Sequence, residues 1–265
     1  MSVPGALRRI PLGNSPERLS RPLDGGWDRS KPILGQLYRM SDDEYHDLLQ
    51  TPTTSGDSII ILGGPLERFT HSALWQPLLV WIPLSFYLFW WSHTTGLILS
   101  ALLFGVGWLY WTLLEYCLHR WVFHLTHWWG SRPRVLLGVR NVLHFLFHGI
   151  HHKFPSDPSR VITPLAMSGA IALPLYITLR LFFPRWLVDP FVSGTFAGYL
   201  FYDYTHYAYH VRPTPKWFSG TMWFRAMKQR HHVHHFRDEH ATFGVSVAFT
   251  DTLFGTHSTK GKVDL

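Results

Sequence analysis

The chain carries eighteen histidines, and fifteen of them fall between residues 119 and 257. They gather in four groups: HRWVFH at 119–124, HGIHH at 148–152, HYAYH at 206–210 and HHVHH at 231–235. Neutral imidazole binds Fe, Zn, Cu and Ni, so the chemistry first suggested is metal binding. His148, His151 and His152 stand at i, i+3 and i+4, which places them on one face of a helix. His231, His234 and His235 repeat the arrangement, and His206 with His210 makes an i, i+4 pair. His119 and His124 are five residues apart, about 140° round an ideal helix. The helix is therefore expected to end or distort between them, or the two to face different metals.

Ten imidazoles exceed what one metal coordinates, and two metals sharing them is the simplest reading. A lone histidine would read as structural; two H-x-x-H-H clusters with two spaced pairs do not. His232 reads as a bystander, and His127, His240 and His257 as structural. His144, one turn before His148, is expected to support a ligand or face substrate. Glu115 precedes His119 by one turn and Asp203 precedes His206 by three residues, so both are candidates to fix imidazole orientation. The alternative for each is a helix-end charge or an ion pair with Arg120. The stripe Tyr199, Tyr202, Tyr204, Tyr207 and Tyr209 reads as packing.

Four apolar runs must position these clusters: 74–91, with Pro77 and Pro83 expected to bend it, then 96–118, 163–183 and about 186–205. Each approaches or reaches the roughly 20 residues that span a bilayer. Short turns join the first run to the second and the third to the fourth. The His-rich segments follow the second and fourth, so an even number of spans puts both on one side. The predicted fold is all-α: a multi-pass membrane protein of about four transmembrane helices, arranged as two hairpins under a cytoplasmic, helical, His-rich catalytic lobe. Arg180, near the end of the third run, can snorkel.

Residues 1–30, rich in Pro, Ser and Arg without periodicity, are expected to be disordered. Residues 31–73 read as a polar amphipathic segment ahead of the membrane, with Ser41 capping a helix that opens with Asp42, Asp43 and Glu44. Residues 74–265 form the expected membrane-embedded domain. The N-terminus has Arg and Pro where a secretory signal needs unbroken apolar residues, so insertion is expected to rest on the first true span.

Composition agrees. Charged residues are 15 %, against about 25 % in an average soluble domain. Thirteen Trp and eleven Tyr suit anchoring at two bilayer interfaces. The net charge of +7 is concentrated after the apolar runs: 119–162 holds six Lys/Arg against one acid, and 208–265 eight against four. That suits a cytoplasmic face and an acidic docking partner. No basic helix or nucleic-acid motif appears, which excludes nucleic acid as partner. The single Cys117 excludes an intrachain disulfide framework and cysteine-rich zinc modules. A metal transporter would place His and acids along a mid-membrane path, whereas these clusters follow the spans.

At the four clusters the sequence resembles the fatty acid hydroxylase superfamily of membrane di-metal enzymes. Within it the chain looks most like the fatty acid 2-hydroxylases acting on sphingolipid acyl chains. The matching stretches are EYCLHRWVFH at 115–124, HFLFHGIHHKFPSDPSRVITP at 144–164, GYLFYDYTHYAYH at 198–210 and HHVHHFRDEHATFGVSVAFTDTLFGT at 231–256, with KPILGQ at 31–36. H-x-x-H-H alone is shared with sterol desaturases and carotene hydroxylases, so a sterol or carotenoid oxygenase is the rival reading. The resemblance implies His119, His124, His148, His151, His152, His206, His210, His231, His234 and His235 as ligands, the ten already selected by spacing. It implies O2-dependent hydroxylation of a long or very-long fatty-acyl chain at carbon 2, free or in ceramide, within a bilayer. Such chemistry needs a redox-active metal, which zinc is not. Two iron ions are therefore expected at work, even where zinc occupies isolated protein. The cytochrome b5 domain of some members, with its H-P-G-G motif, is not seen, so electrons are expected from a separate cytochrome b5-type donor. In a eukaryotic source the resemblance implies the endoplasmic reticulum.

Overall fold

Leu- and Ala-rich runs with few internal breakers fold as long helices, and among the described residues every regular element is helical. The structure is a computed structural model describing residues 27–53, 59–127, 129, 133–211, 214–261 and 263. Two short helices, α1 (Leu34–Arg39) and α2 (Asp42–Gln50), precede the apolar hairpin of α3 (Gln76–Trp91) and α4 (Leu97–Cys117). The first His-rich segment holds α5 (Arg134–His144), α6 (Ile150–Lys153) and α7 (Pro158–Val161). A second hairpin, α8 (Leu165–Phe182) and α9 (Arg185–His210), leads to α10 (Lys216–Ser219), α11 (Met222–Phe236) and α12 (Phe249–Phe254).

Helix α9 is the axis of the apolar bundle, with α4 and α3 packed along it. Glycine makes the α4–α9 crossing possible. A Cβ on Gly107 would stand 1.9 Å from the Phe191 carbonyl oxygen, and one on Gly194 would stand 1.9 Å from that of Phe104. Backbones this close are the usual solution where lipid tails compete with side chains for contact. Hydroxyls add interhelical bonds: Ser85 Oγ donates to the Ser193 carbonyl at 2.9 Å and Ser193 Oγ to the Ser85 carbonyl at 2.7 Å. Helix α8 leans on α9 more sparsely. One tie there is the Tyr176 hydroxyl, which donates to Asp189 at 3.1 Å.

Two helical stretches, Leu97–Phe123 and Pro158–Phe182, are long and apolar enough to cross a membrane. The other two runs differ from that standard for physical reasons. Helix α3 has 16 residues, about 24 Å of rise against a hydrocarbon core of about 30 Å. Helix α9 has 26 residues but is largely covered by its neighbours and carries Asp189 and Asp203. The outer face of α4 is strongly apolar, with Leu97 75 %, Ile98 79 % and Leu109 68 % exposed. A soluble monomer rarely displays so continuous an apolar surface.

Residues 31–73 do more than precede the bundle. Ser41 caps α2 as expected, and Glu44 completes a capping box, Glu44 N–H donating to Ser41 Oγ and Ser41 N–H to Glu44 Oε2. Ile33, Leu37, Tyr45 and Leu48 bury themselves against Phe145, Ile150 and Phe154. Asp42 pairs with Arg140, and Lys153 Nζ donates to Thr51 Oγ1 at 2.7 Å. Burial opposes ionisation of Glu67. The N–H groups of Gly63, Ile61 and Leu62, together with Arg160, outweigh it and hold the carboxyl at about 2. The segment thus straps the His-bearing helices in place. Of the stretch expected to be disordered, 1–26 lies outside the described residues, whereas 27–30 is folded, with Trp27 buried at 2 % exposure.

Candidate metal centre

The helices α4 and α9 run parallel and deliver their C-terminal ends to one place. Beyond Cys117, α4 continues as a π-helical turn, Leu118–Phe123, closed by a bond from His124 N–H to the His119 carbonyl at 3.1 Å. A π turn holds more residues than an α turn. It therefore cancels the angular offset that separates residues five apart, and the two rings come within 5.1 Å of each other. The expected distortion is present, and the alternative of two different sites is not: both histidines join one group. A second π turn, Phe145–Gly149, carries His148.

The ten imidazoles assemble as two groups of five: His119, His124, His148, His152 and His234, and His151, His206, His210, His231 and His235. Within each group the ligand-capable nitrogens all lie within 4.8 Å of one another. Sequence clusters and spatial groups do not coincide. Each H-x-x-H-H cluster was expected to present one shared face, yet it divides. The i, i+4 pair His148/His152 enters the first group and His151 the second; His231/His235 enters the second and His234 the first. Adjacent helical residues diverge by about 100°, so one helix edge serves two groups at once. The groups touch where His152 stacks on His235 with ring centroids 4.2 Å apart.

The donors suit metal ions. His119 and His148 bring their Nε2 atoms to 2.9 Å, His148 and His152 to 3.0 Å, His124 and His234 to 2.9 Å, and His210 and His231 to 2.8 Å. Nitrogens each about 2.1 Å from one ion and at right angles would be about 3 Å apart. His151 and His235 each bury both ring nitrogens without a hydrogen-bond partner, a cost that coordination would remove. Burial holds the imidazoles of His148, His151, His231 and His235 well below their usual range, and the neighbouring rings reinforce it. They are neutral at pH 7, as ligation requires.

Backbone carbonyls orient two of the rings. His119 Nδ1–H donates to the Phe243 carbonyl at 2.5 Å and His234 Nδ1–H to the Ala241 carbonyl at 2.8 Å, leaving each Nε2 lone pair facing the group. Between those carbonyls Thr242 adopts φ 56°, a strained conformation for a β-branched residue. Two carboxylates hold this loop. Asp251 accepts from Phe243 N–H at 2.9 Å and Gly244 N–H at 3.1 Å, and is itself bound by Arg230 at 2.8 Å. Glu115 accepts from Val245 N–H at 2.7 Å, Ser246 N–H at 2.8 Å and Ser246 Oγ–H at 2.5 Å.

A model of the fatty acid hydroxylase family matches residues 104–256, which contain all ten of these histidines. The chain belongs to that family. It is 33 % identical, over 86 % of its length, to a ceramide very long chain fatty acid hydroxylase of Schizosaccharomyces pombe, and spans 65 % of that protein. It is 31 % identical over 86 % of its length to a dihydroceramide fatty acyl 2-hydroxylase of Arabidopsis thaliana, and spans 92 % of it. Among solved structures it is similar to full-length scs7p, of which only the hydroxylase domain is visible. The TM-score is 0.76 and the identity 29 %, covering 91 % of this chain and 92 % of that one.

In this family member the acids singled out from sequence act at one remove. Glu115 bonds no imidazole; it holds the loop whose Phe243 carbonyl orients His119. Asp203 binds Thr163 N–H at 3.2 Å, Thr163 Oγ1 at 2.9 Å and the Tyr199 hydroxyl at 3.2 Å rather than His206, and so fixes the entrance of α8 against α9. His144 shares a 2.6 Å hydrogen bond between its Nδ1 and the Tyr45 hydroxyl. His232 stands outside both groups and donates from Nε2 to the Tyr209 carbonyl at 3.1 Å. His257 meets Thr252 and Arg230, while the His127 side chain lies outside the described residues. Sequence reasoning missed Asp251. Its signal was a lone acid within a stretch otherwise free of charge, 244–256.

Proposed function

We propose that this chain hydroxylates a long or very-long fatty-acyl chain at carbon 2, using O2 and two iron ions held by the ten histidines, as a step in ceramide synthesis. The observation that carries the reading is the pair of five-histidine groups opening onto an apolar cavity. That cavity, about 400 Å³, is lined by His148, His151 and His206 on one side and by residues such as Phe123, Ile162 and Met167 on the other. Bound iron would supply the O2 reduction that attack on an unactivated C–H bond requires. The chain's own part is to hold the ten imidazoles together, those of His119 and His234 with tautomers fixed by backbone carbonyls, to present an acyl carbon beside them and to keep bulk water off the apolar side. Overall, one oxygen atom goes to the substrate carbon and the other to water, with two electrons and two protons taken up.

The names of the relatives support the acyl and ceramide substrate class, while the chain spans less than two thirds of the yeast proteins among them. In this reading residues 74–265 are the hydroxylase domain, its four long helices are two membrane hairpins, and the histidines sit at the cytoplasmic face. A second cleft, about 330 Å³ and polar, approaches His152 and His235 from the other side past Gln50, Glu239 and Lys260. It supports delivery of electrons and protons from a separate cytochrome b5-type donor in the aqueous phase. The membrane is that of the endoplasmic reticulum in a eukaryotic source.

The test is lipid mass spectrometry in a host lacking its own 2-hydroxylase and supplied with a b5-type donor. New 2-hydroxy acyl chains are expected with the intact protein and none with the His151→Ala, His152→Ala variant. Oxidised sterols or carotenoids in their place would overturn the substrate class.

A further inference from the structure

The cavity beside the histidines does not end there. Phe123, Thr163, Ile171 and Tyr202 line both it and a second, narrower cavity of about 40 Å³ between α4, α8 and α9. Trp81, Ala172 and Phe196 in turn line both that waist and a third cavity of about 340 Å³ between α3 and α8. The third opens at the outer face of the bundle, where Leu173 is 61 % and Tyr87 49 % exposed. Their shared lining residues set the three end to end, from the imidazoles to the exposed outer face of the bundle, and the sparse packing of α8 on α9 leaves room for them. At the outer end of the waist the ring centroids of Trp81 and Phe196 lie 4.7 Å apart, and the half-buried Ala172 lines the same junction.

Resting on the acyl-hydroxylase reading above, we propose that this path holds the substrate's acyl tail and that Ala172, with Trp81 and Phe196 opposite, sets the chain length accepted. Phe196 lies ten residues before His206 on α9, about 15 Å away along the helix. A chain fixed by its carbon 2 at the histidines therefore meets Ala172 only if its tail is long. Short tails stop before the waist; very-long tails pass it and emerge between α3 and α8, where an apolar tail meets lipid without cost. The occupant is an unbranched acyl chain, because a waist this narrow rejects a rigid polycycle.

Two measurements test this on the full chain. In the lipid assay, Ala172→Phe is expected to lower the ratio of the longest to the shortest 2-hydroxy products by about tenfold, as overfilling an apolar pocket does. Trp81→Ala is expected to raise it, and Ile177→Phe, on the exposed side of α8, to leave it unchanged. An unaltered ratio in both Ala172→Phe and Trp81→Ala overturns the proposal while the hydroxylase reading stands. The second measurement needs no turnover. A long fatty acid with a diazirine at its methyl end, photolysed with the purified protein, is expected to label peptides 81–88 and 169–176. Label confined to the outer face of α4 overturns the path, and absence of any 2-hydroxy product from the intact chain overturns the hydroxylase reading by itself.

Discussion

Thr242 is the residue on which the geometry of the first histidine group turns. Its left-handed backbone aims the carbonyls of Ala241 and Phe243 at His234 and His119, and Asp251 and Glu115 hold the loop in that conformation. Replacing Asp251 by Asn is expected to weaken metal binding by about 10- to 100-fold, the usual effect of loosening a ligand's supporting contacts. A metal titration of purified protein reads this, and unchanged affinity would refute the loop's orienting role. The buried imidazoles also set a pH dependence. Below about pH 6.5 histidines in the unfolded chain take up protons, while those of the folded site, held well below that range, do not. Proton uptake thus favours unfolding. The melting temperature of metal-free protein is expected to fall steadily from pH 7 to pH 5, and a flat profile would contradict neutral, buried rings. At this scale the ten histidines were legible because imidazoles at helical spacing are rare by chance. Their division into two groups was not, since one H-x-x-H-H cluster serves both. The orienting carbonyls were not legible either, because a backbone carbonyl carries no residue-type signal.

The elements were legible wherever apolar length decided them. The runs 96–118 and 163–183 became Leu97–Cys117 and Leu165–Phe182. The run ending near 205 continued to His210, because the polar end of α9 must stay helical to aim His206 and His210. How the helices meet was hidden, since a glycine in an apolar run does not announce what touches it. Two glycines two residues apart, and so on opposite sides of α4, show the difference. Beside Gly105 there is open space, and beside Gly107 there is the backbone of α9. Gly105→Ala is expected to stabilise slightly, by about 0.4–1 kcal/mol through the unfolded state. Gly107→Ala is expected to destabilise by about 1–3 kcal/mol or more, since the helices must part. Thermal melts in detergent distinguish them, and equal effects would contradict the close crossing.

In the whole molecule the strap of residues 27–53 and 59–71, the apolar bundle and the two groups of histidines form one connected structure, each fixing the next. The strap's polar sequence concealed this role: Ile33, Leu37, Tyr45 and Leu48 are too few to read as a core until Phe145 and Phe154 meet them. The even number of apolar runs did anticipate that both His-rich segments would gather at one end, and α4 and α9 end side by side there. Everything proposed for this chain depends on two ions, one in each group. The direct measurement is the metal content of purified protein by mass spectrometry, for the intact chain and for His124→Ala with His234→Ala or His210→Ala with His231→Ala. Two ions per chain are predicted for the intact protein and about one for each double variant. A single ion in the intact chain, or two remaining in either variant, would contradict the paired site.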